Sequence, residues 1–286
     1  MANIRLIRRR IRGVQSTAKI TRAMEMIAAS KMRKAQERGL AGRPYTQKIT
    51  QVISALASVL GDKTRHTLLD VRDPVKKIAI VHITPDRGLS GGLVSNINRR
   101  SASFILEQGM PSSVIAVGRK GLEFMRRTSQ DVVAEFIQLG DKPNMVDTLP
   151  ISRIIIDDFT SGKIDAVYIA YARFVNTMVQ TPTMLKILPV TPVTVEPGKA
   201  NPDYIFEPTS AAVLDALLPR FVEMGVYHAI LEAIASEQSA RMIAMRNATE
   251  NANELIDDLT LVYNKARQES ITTELLDIIG GAAALT

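Results

Sequence analysis

The stretch IRLIRRRIRGVQSTAK (residues 4–19) decides the fold. In it, Ile4, Ile7, Ile11, Val14 and Ala18 recur at alternating steps of three and four. That is the spacing of a coiled-coil seam, which keeps one side of a helix facing a partner every 3.5 residues. The stripe continues less strictly through Met24, Ile27 and Met32, and no proline interrupts it before Pro44. Gly13, Gly39 and Gly42 weaken it only locally. The pattern predicts one helix over residues 3–60. A helix lying on a globular core averages about 11–12 residues, so a stripe this long argues for a projecting coil.

A second seam lies at the other end of the chain. Leu231, Ala235, Gln238, Met242, Met245, Ala252, Ile256, Leu259 and Tyr263 follow a repeat near 3.5 and predict a helix over about 209–280. Pro219 falls inside it, where a missing N–H predicts a kink near the base. Two terminal helices that bracket an insert pair antiparallel. At about 1.5 Å per residue they reach roughly 87 Å and 108 Å, which predicts a rod standing out from the insert. Its seam holds Ala, Met, Thr and Gln more than Leu. Small residues allow close approach but bury little area, so the rod is expected to depend partly on an enclosing partner.

Between the helices the pattern changes. KKIAIVHIT (76–84), SVIAVG (113–118), VVAEF (132–136), DAVYIAYARF (165–174) and LKILPV (185–190) predict strands, being short and rich in Val, Ile, Tyr and Phe. Helical stretches lie near 92–109, 119–128 and 147–161. Strand alternating with helix predicts a small, mostly parallel α/β domain over residues 74–195. Residues 191–208 hold four prolines and form a linker, with 196–208 beyond the end of the domain. The predicted fold class is therefore α/β with a long coiled coil: residues 1–60 and 209–286 make an antiparallel shaft around the inserted domain.

Composition narrows the chemistry. The 286 residues include no Cys, which excludes disulfides, thiolate zinc sites and a cysteine nucleophile. The longest apolar runs, such as IAIVHI (78–83) and VYIAYA (167–172), fall far short of the roughly 20 residues of a membrane span. The Arg-rich start is followed by no apolar block, so no secretory signal is expected there. The net charge is +7, but residues 1–50 hold 13 Lys and Arg against two Glu, a net of +11 that leaves −4 on the rest. A basic arm this pronounced predicts an acidic partner, nucleic acid or an acidic protein surface. Nucleic acid is disfavoured because RLIRRRIRGVQSTAKITR has no aromatic residue for stacking and its apolar positions form a continuous seam.

The remaining motifs point away from catalysis. TPDRGLSGGLVSNINR (84–99) is a Gly-rich turn feeding a helix, a setting that can hold phosphate. It lacks the Lys-Ser/Thr of a P-loop and the spacing of a dinucleotide fingerprint, so a tight strand-to-helix turn is the expected role. The three histidines, His66, His82 and His228, have no plausible orienting carboxylate near them. Neither a nucleophilic triad nor a metal site is expected, and no cofactor. The end of the chain, ITTELLDIIGGAAALT (271–286), is apolar where a terminus is normally polar, and predicts burial inside another protein.

These residues carry a resemblance. IRGVQSTAKITRAMEMIAASKMRKAQ (11–36), DRGLSGGL (86–93) and the stretch from Ser236 to Leu285 resemble, in order and spacing, the gamma subunit of bacterial F-type ATP synthases. Ser90 stands where many relatives have Cys, Pro85 where many have Ser, and the Cys-bearing regulatory insertion of chloroplast forms is absent. The resemblance implies a rotor shaft, not itself an enzyme, present once inside a threefold ring of alpha and beta subunits. It implies further partners in the epsilon subunit and the membrane c-ring, and a peripheral position on the cytoplasmic face of the membrane. By the same resemblance Arg22, Met24 and Met26 face the acidic lever of the beta subunit. Arg267, Gln268 and Thr272 engage the upper ring, and Tyr204 and Glu207 form the foot toward the membrane ring. Two other readings make distinct predictions: a basic coiled-coil scaffold would be retained on DNA, and an enzyme using DRGLSGG would bind ATP as the isolated chain.

Overall fold

A computed structural model describes residues 4–60, 66–191, 206–207 and 209–283. Helix α1 (Ile4–Leu60) leads through a 3-10 turn (Thr67–Leu69) into β1 (Ile78–Ile83). Next come α2 (Leu93–Gln108), β2 (Ser112–Val117), α3 (Arg119–Arg127), β3 (Asp131–Phe136), α4 (Met145–Thr160), β4 (Ala166–Phe174) and β5 (Gln180–Leu188). Helix α5 (Ser210–Ala283) closes the chain. No described helix is long and apolar enough to cross a membrane. The contacts divide the chain into two units, one from α1 up to Ala28 with α5 from Arg241, the other spanning Ala29–Ala240.

In the first unit the two helices run antiparallel. The hydroxyls of Thr21 and Thr249 meet at 2.7 Å, and four residues further along α1 Glu25 meets Arg246, three residues earlier on α5, at 4.0 Å. Burial follows the heptad: Ile4, Ile7, Ile11 and Val14 are half-buried and Ala18, Thr21 and Ala28 buried, while Arg5, Arg8, Arg9, Arg10 and Arg12 stay exposed. One expected seam position is corrected. Ile27 is 55% exposed, and its neighbour Ala28, at 1%, faces the partner helix. The steps of three and four from Ala18 pass through Thr21, Glu25 and Ala28, so the larger side chain points away from the seam. On α5, Met245, Ala252 and Ala266 are buried and Ile256, Leu259 and Tyr263 half-buried. These are the positions the repeat predicts, with Ala266 extending them.

The second unit is a five-stranded sheet in the order β3-β2-β1-β4-β5. The first four strands are parallel, as the alternation of strand and helix predicts, and β5 is antiparallel to β4. Every residue of β1 is buried because helices cover both faces. Phe104 of α2 packs with Ile78 and Ile80 on one side. On the other lie Ile151, Ile155 and Phe159 of α4, Ile49, Ile53 and Leu56 of α1, and Leu218, Val222 and Val226 of α5. Strand β5 begins five residues before its predicted start. QTPTM does not read as a strand, but an edge strand tolerates Pro182 because the missing N–H faces away from the ladder. Helix α5 continues unbroken through Pro219.

Candidate partner-contact surfaces

The outer face of α1 in the first unit is basic and uncompensated. Among the described residues, Arg5, Arg8, Arg9, Arg10, Arg12, Lys19 and Arg22 have no ion-pair partner. Arg22 is exposed and Met26, one helical turn on, is 63% exposed, so these two predicted contact residues share a face. Met24 is half-buried on the seam side and is separated from them. Ile20 (59% exposed) and Ile27, seven residues apart, add an apolar stripe beside that face. Assigning Ile27 to the seam hid this stripe in the sequence; the strict heptad through Thr21 and Ala28 is the signal that reveals it. Cations interleaved with unpartnered Met and Ile suit an acidic protein surface with an apolar edge.

Toward the end of α5, Arg267, Gln268 and Thr272 are all exposed. The Thr272 hydroxyl donates to the Gln268 carbonyl at 2.9 Å, which leaves its lone pairs free for an incoming donor. Beyond it Ile271, Leu275, Leu276, Ile278 and Ile279 are between 48% and 68% exposed. Scattered single exposures of this kind are ordinary, but five within nine residues cover more than one side of a helix. Glu274 and Asp277 interrupt this surface, but an exposed apolar patch of this size marks a site of contact with another protein. Of the predicted foot residues, Glu207 is exposed and Tyr204 lies outside the described residues.

The α/β unit has a crevice at the carboxyl ends of β1, β2 and β3. Here the residues after β1 and β2, Thr84 to Asp86 and Gly118, face Ile230 and Ile234 of α5. The space left is only about 50 Å3, so the helix fills the crevice. The Gly-rich turn is held by its own acid. Asp86 accepts from the backbone N–H of Arg119 through Oδ1 and of Gln138 through Oδ2, each at 2.9 Å. A carboxylate on those donors repels phosphate, which supports the tight-turn expectation for DRGLSGG. Leu89 (φ 65) and Gly91 (φ 56) supply the left-handed conformations that the turn requires.

The histidines have structural partners. His82 is fully buried, with Nε2 at 2.9 Å from Asn98 Oδ1 and Nδ1 at 2.9 Å from Ser101 Oγ. The Nε2–H tautomer satisfies both bonds, and burial lowers its pKa to about 4. His66 Nδ1 accepts from the Leu68 N–H and caps the 3-10 turn, and burial lowers its pKa too, opposed by Asp215. His228 lies against Gly42, whose missing Cβ would stand 2.5 Å from the ring. Among the described residues no group of His, Asp and Glu has the arrangement of a metal site.

Comparison with known proteins follows the same line. Residues 3–285 match the family described as ATP synthase. The chain is 68% identical over 286 residues to the ATP synthase gamma chain of Dehalococcoides mccartyi (strain CBDB1), covering 100% of both chains. It is 52% identical over 288 residues to that of Roseiflexus castenholzii (strain DSM 13941 / HLO8), covering 100% of this chain and 99% of the relative. Among solved structures, one chain of the Euglena gracilis mitochondrial ATP synthase (OSCP/F1/c-ring, rotational state 3) shares the fold with a TM-score of 0.67. Its identity is 22%, over 99% of this chain and 94% of that one. A chain of the Tetrahymena thermophila mitochondrial ATP synthase central stalk/c-ring gives a TM-score of 0.63 at 24% identity, over 80% of this chain and 99% of that one.

Proposed function

We propose, from the premise that this chain belongs to the ATP synthase gamma-chain family, that it is the central rotor shaft of an F-type ATP synthase. It couples ion-driven rotation to ATP synthesis and hydrolysis on the beta subunits. It carries out no catalysis itself and works at the cytoplasmic face of the bacterial membrane without entering it. Residues 1–60 and 209–286 form the shaft, 74–195 the α/β domain and 196–208 the connection between them. The alpha and beta subunits surround the shaft, and the epsilon subunit and the membrane c-ring hold its foot at Tyr204 and Glu207.

The observation that carries this reading is the exposed apolar end of α5, five large side chains between Ile271 and Ile279 with no cover of their own. Coupling follows from symmetry. One two-helix shaft has different faces, the basic one at Arg22 and Met26 and the apolar one at Ile20 and Ile27. A threefold ring around it therefore meets a different face at each beta subunit, and each orientation stabilises a different set of three conformations. Transmission is by the difference in contact free energy between those states. Arg22, Met24 and Met26 meet the acidic lever of a beta subunit. Arg267, Gln268 and Thr272 engage loops of the upper ring. Residues 274–286 turn in an apolar sleeve, where rotation breaks no ion pairs.

Removal of residues 267–286 tests this directly. In a reconstituted complex the shortened chain is expected to keep its helical content and its place in the assembly, and to lose ATP-driven ion pumping relative to ATP hydrolysis. Pumping per ATP equal to that of the full-length chain would overturn the shaft reading.

A further inference from the structure

Asp141 is the residue through which a loop of the α/β unit holds both long helices at once. Its Oδ2 accepts from Lys31 Nζ of α1 at 2.7 Å, and its Oδ1 from Gln238 Nε2 of α5 at 3.3 Å. The loop is shaped for this reach. Gln138 (φ 61) and Gly140 (φ 76) both take the left-handed conformation, and Leu139 between them packs against the core. The loop is anchored on both sides of Asp141. The Gln138 N–H donates to Asp86, which also caps α3, and the Asn144 N–H donates to Asp147 Oδ2 at 2.7 Å in the first turn of α4. The Tyr227 hydroxyl of α5 adds a long contact to the Pro143 carbonyl at 3.5 Å.

Position along the chain gives this its meaning. Lys31 and Gln238 each lie two residues inside the limits of the unit, which are Ala29 and Ala240. Asp141 therefore grips both helices next to the point where they leave the α/β unit. Its partners differ: Gln238 is 1% exposed, whereas the Lys31 and Asp141 side chains are each 42% exposed. A half-exposed ion pair contributes little to stability. Two donors on separate helices fixed to one carboxylate nevertheless oppose independent twisting of those helices against the loop. Resting on the shaft reading, we infer that Asp141 is a positioning residue for torque transmission, a clamp that sets where the α/β unit's hold on the helix pair ends.

The test uses the assembled complex with Asp141→Asn, Lys31→Met, the double variant, and the charge-reversed pair Lys31→Asp with Asp141→Lys. Asn at position 141 keeps the shape but has one acceptor oxygen, so only one helix stays held. Two quantities are read: hydrogen exchange at amides within residues 28–36 and 234–242, and the angular fluctuation of a probe on the α/β unit with the ring immobilised and no nucleotide. Each single variant is expected to exchange about two- to fivefold faster in those windows and to widen the fluctuation. The double variant is expected to go no further than the singles, and the reversed pair to recover part of the loss. A role confined to folding would lower the melting temperature and leave the fluctuation of the folded complex unchanged. Unchanged exchange and fluctuation in Asp141→Asn, or effects that add in the double variant, would overturn the clamp while wild-type rotation under ATP leaves the shaft reading standing. Absence of ATP-driven rotation in the wild-type complex overturns both.

Discussion

Replacing Gly42 by Ala sets two effects of known sign against each other. Both Gly39 and Gly42 lie within α1, where Ala in place of Gly favours the helix by roughly 1 kcal/mol. At Gly39 nothing lies within 4 Å of the added Cβ, because that side of the helix borders a cavity of about 440 Å3. Gly39→Ala is therefore expected to stabilise by close to the full amount. At Gly42 the same atom would stand 2.5 Å from Cε1 and 2.9 Å from Nε2 of His228. The half-buried imidazole has to move, and overpacking of this kind costs about 1–3 kcal/mol. The net result runs from near zero to a loss of about 2 kcal/mol, which leaves the two variants about 1–3 kcal/mol apart. Thermal melting of the chain followed by helical circular dichroism separates them. At about 2–4 °C per kcal/mol for a unit of this size, Gly39→Ala melts higher and Gly42→Ala melts at or below the parent. Adding His228→Ala to Gly42→Ala removes the clash and restores part of the difference. Equal stabilisation by both glycine replacements would show that the ring does not lie against Gly42 and that the α1–α5 packing described for this unit is wrong.

Two further outcomes follow from the α/β unit. His82 has a folded pKa of about 4 against an ordinary 6.5, so as pH falls through 6.5 the unfolded chain takes up a proton that the folded chain refuses. This contribution to stability is fully present above pH 6.5, declines between 6.5 and 4 by up to about 3 kcal/mol, and levels off below. The His82 ring resonances should show no titration down to pH 5; a midpoint above 6 would contradict the buried, hydrogen-bonded arrangement. Gly118→Ala places a Cβ 1.8 Å from the Thr84 carbonyl oxygen at a residue with φ 92, against backbone that cannot yield. It is expected to prevent the α/β unit from folding, read as loss of soluble expression or of cooperative melting, and normal melting would refute the close approach of β1 and β2 ends.

The helical ends were legible because a seam writes its period into the sequence wherever the partner is another helix of the same chain. Ile4 to Ala18 and Met245 to Tyr263 show this, and burial follows them. The seam blurred at Thr21, Glu25 and Ala28, where the residues facing the partner are polar or small and the larger Ile27 faces out. Hydropathy identifies the big side chain, while close helix approach selects the small one. The parallel strands were legible through their continuous Val and Ile runs, the mark of burial on both faces. Strand β5 was only half legible because an edge strand with one exposed side does not need that run, and QTPTM lacks it. Its reversed direction follows from the five-residue turn 175–179, too short for a crossover helix.

The partner surfaces divide on the same physical ground. Arg22, Met26, Arg267, Gln268 and Thr272 are exposed as a contact role requires, but exposure is what most polar residues show, so resemblance and not periodicity singled them out. The apolar end of α5 was legible from composition alone, because Ile271, Leu275, Leu276, Ile278 and Ile279 stand close together in sequence. Loop 137–144 was not. QLGDKPN has the composition of any surface turn, and the carboxylate of Asp141 acquires a role only when folding brings Lys31 and Gln238, 110 residues before it and 97 after, to its two oxygens. Contacts between elements so far apart in sequence leave no local period. The same holds for the filling of the crevice at the ends of β1, β2 and β3 by Ile230 and Ile234.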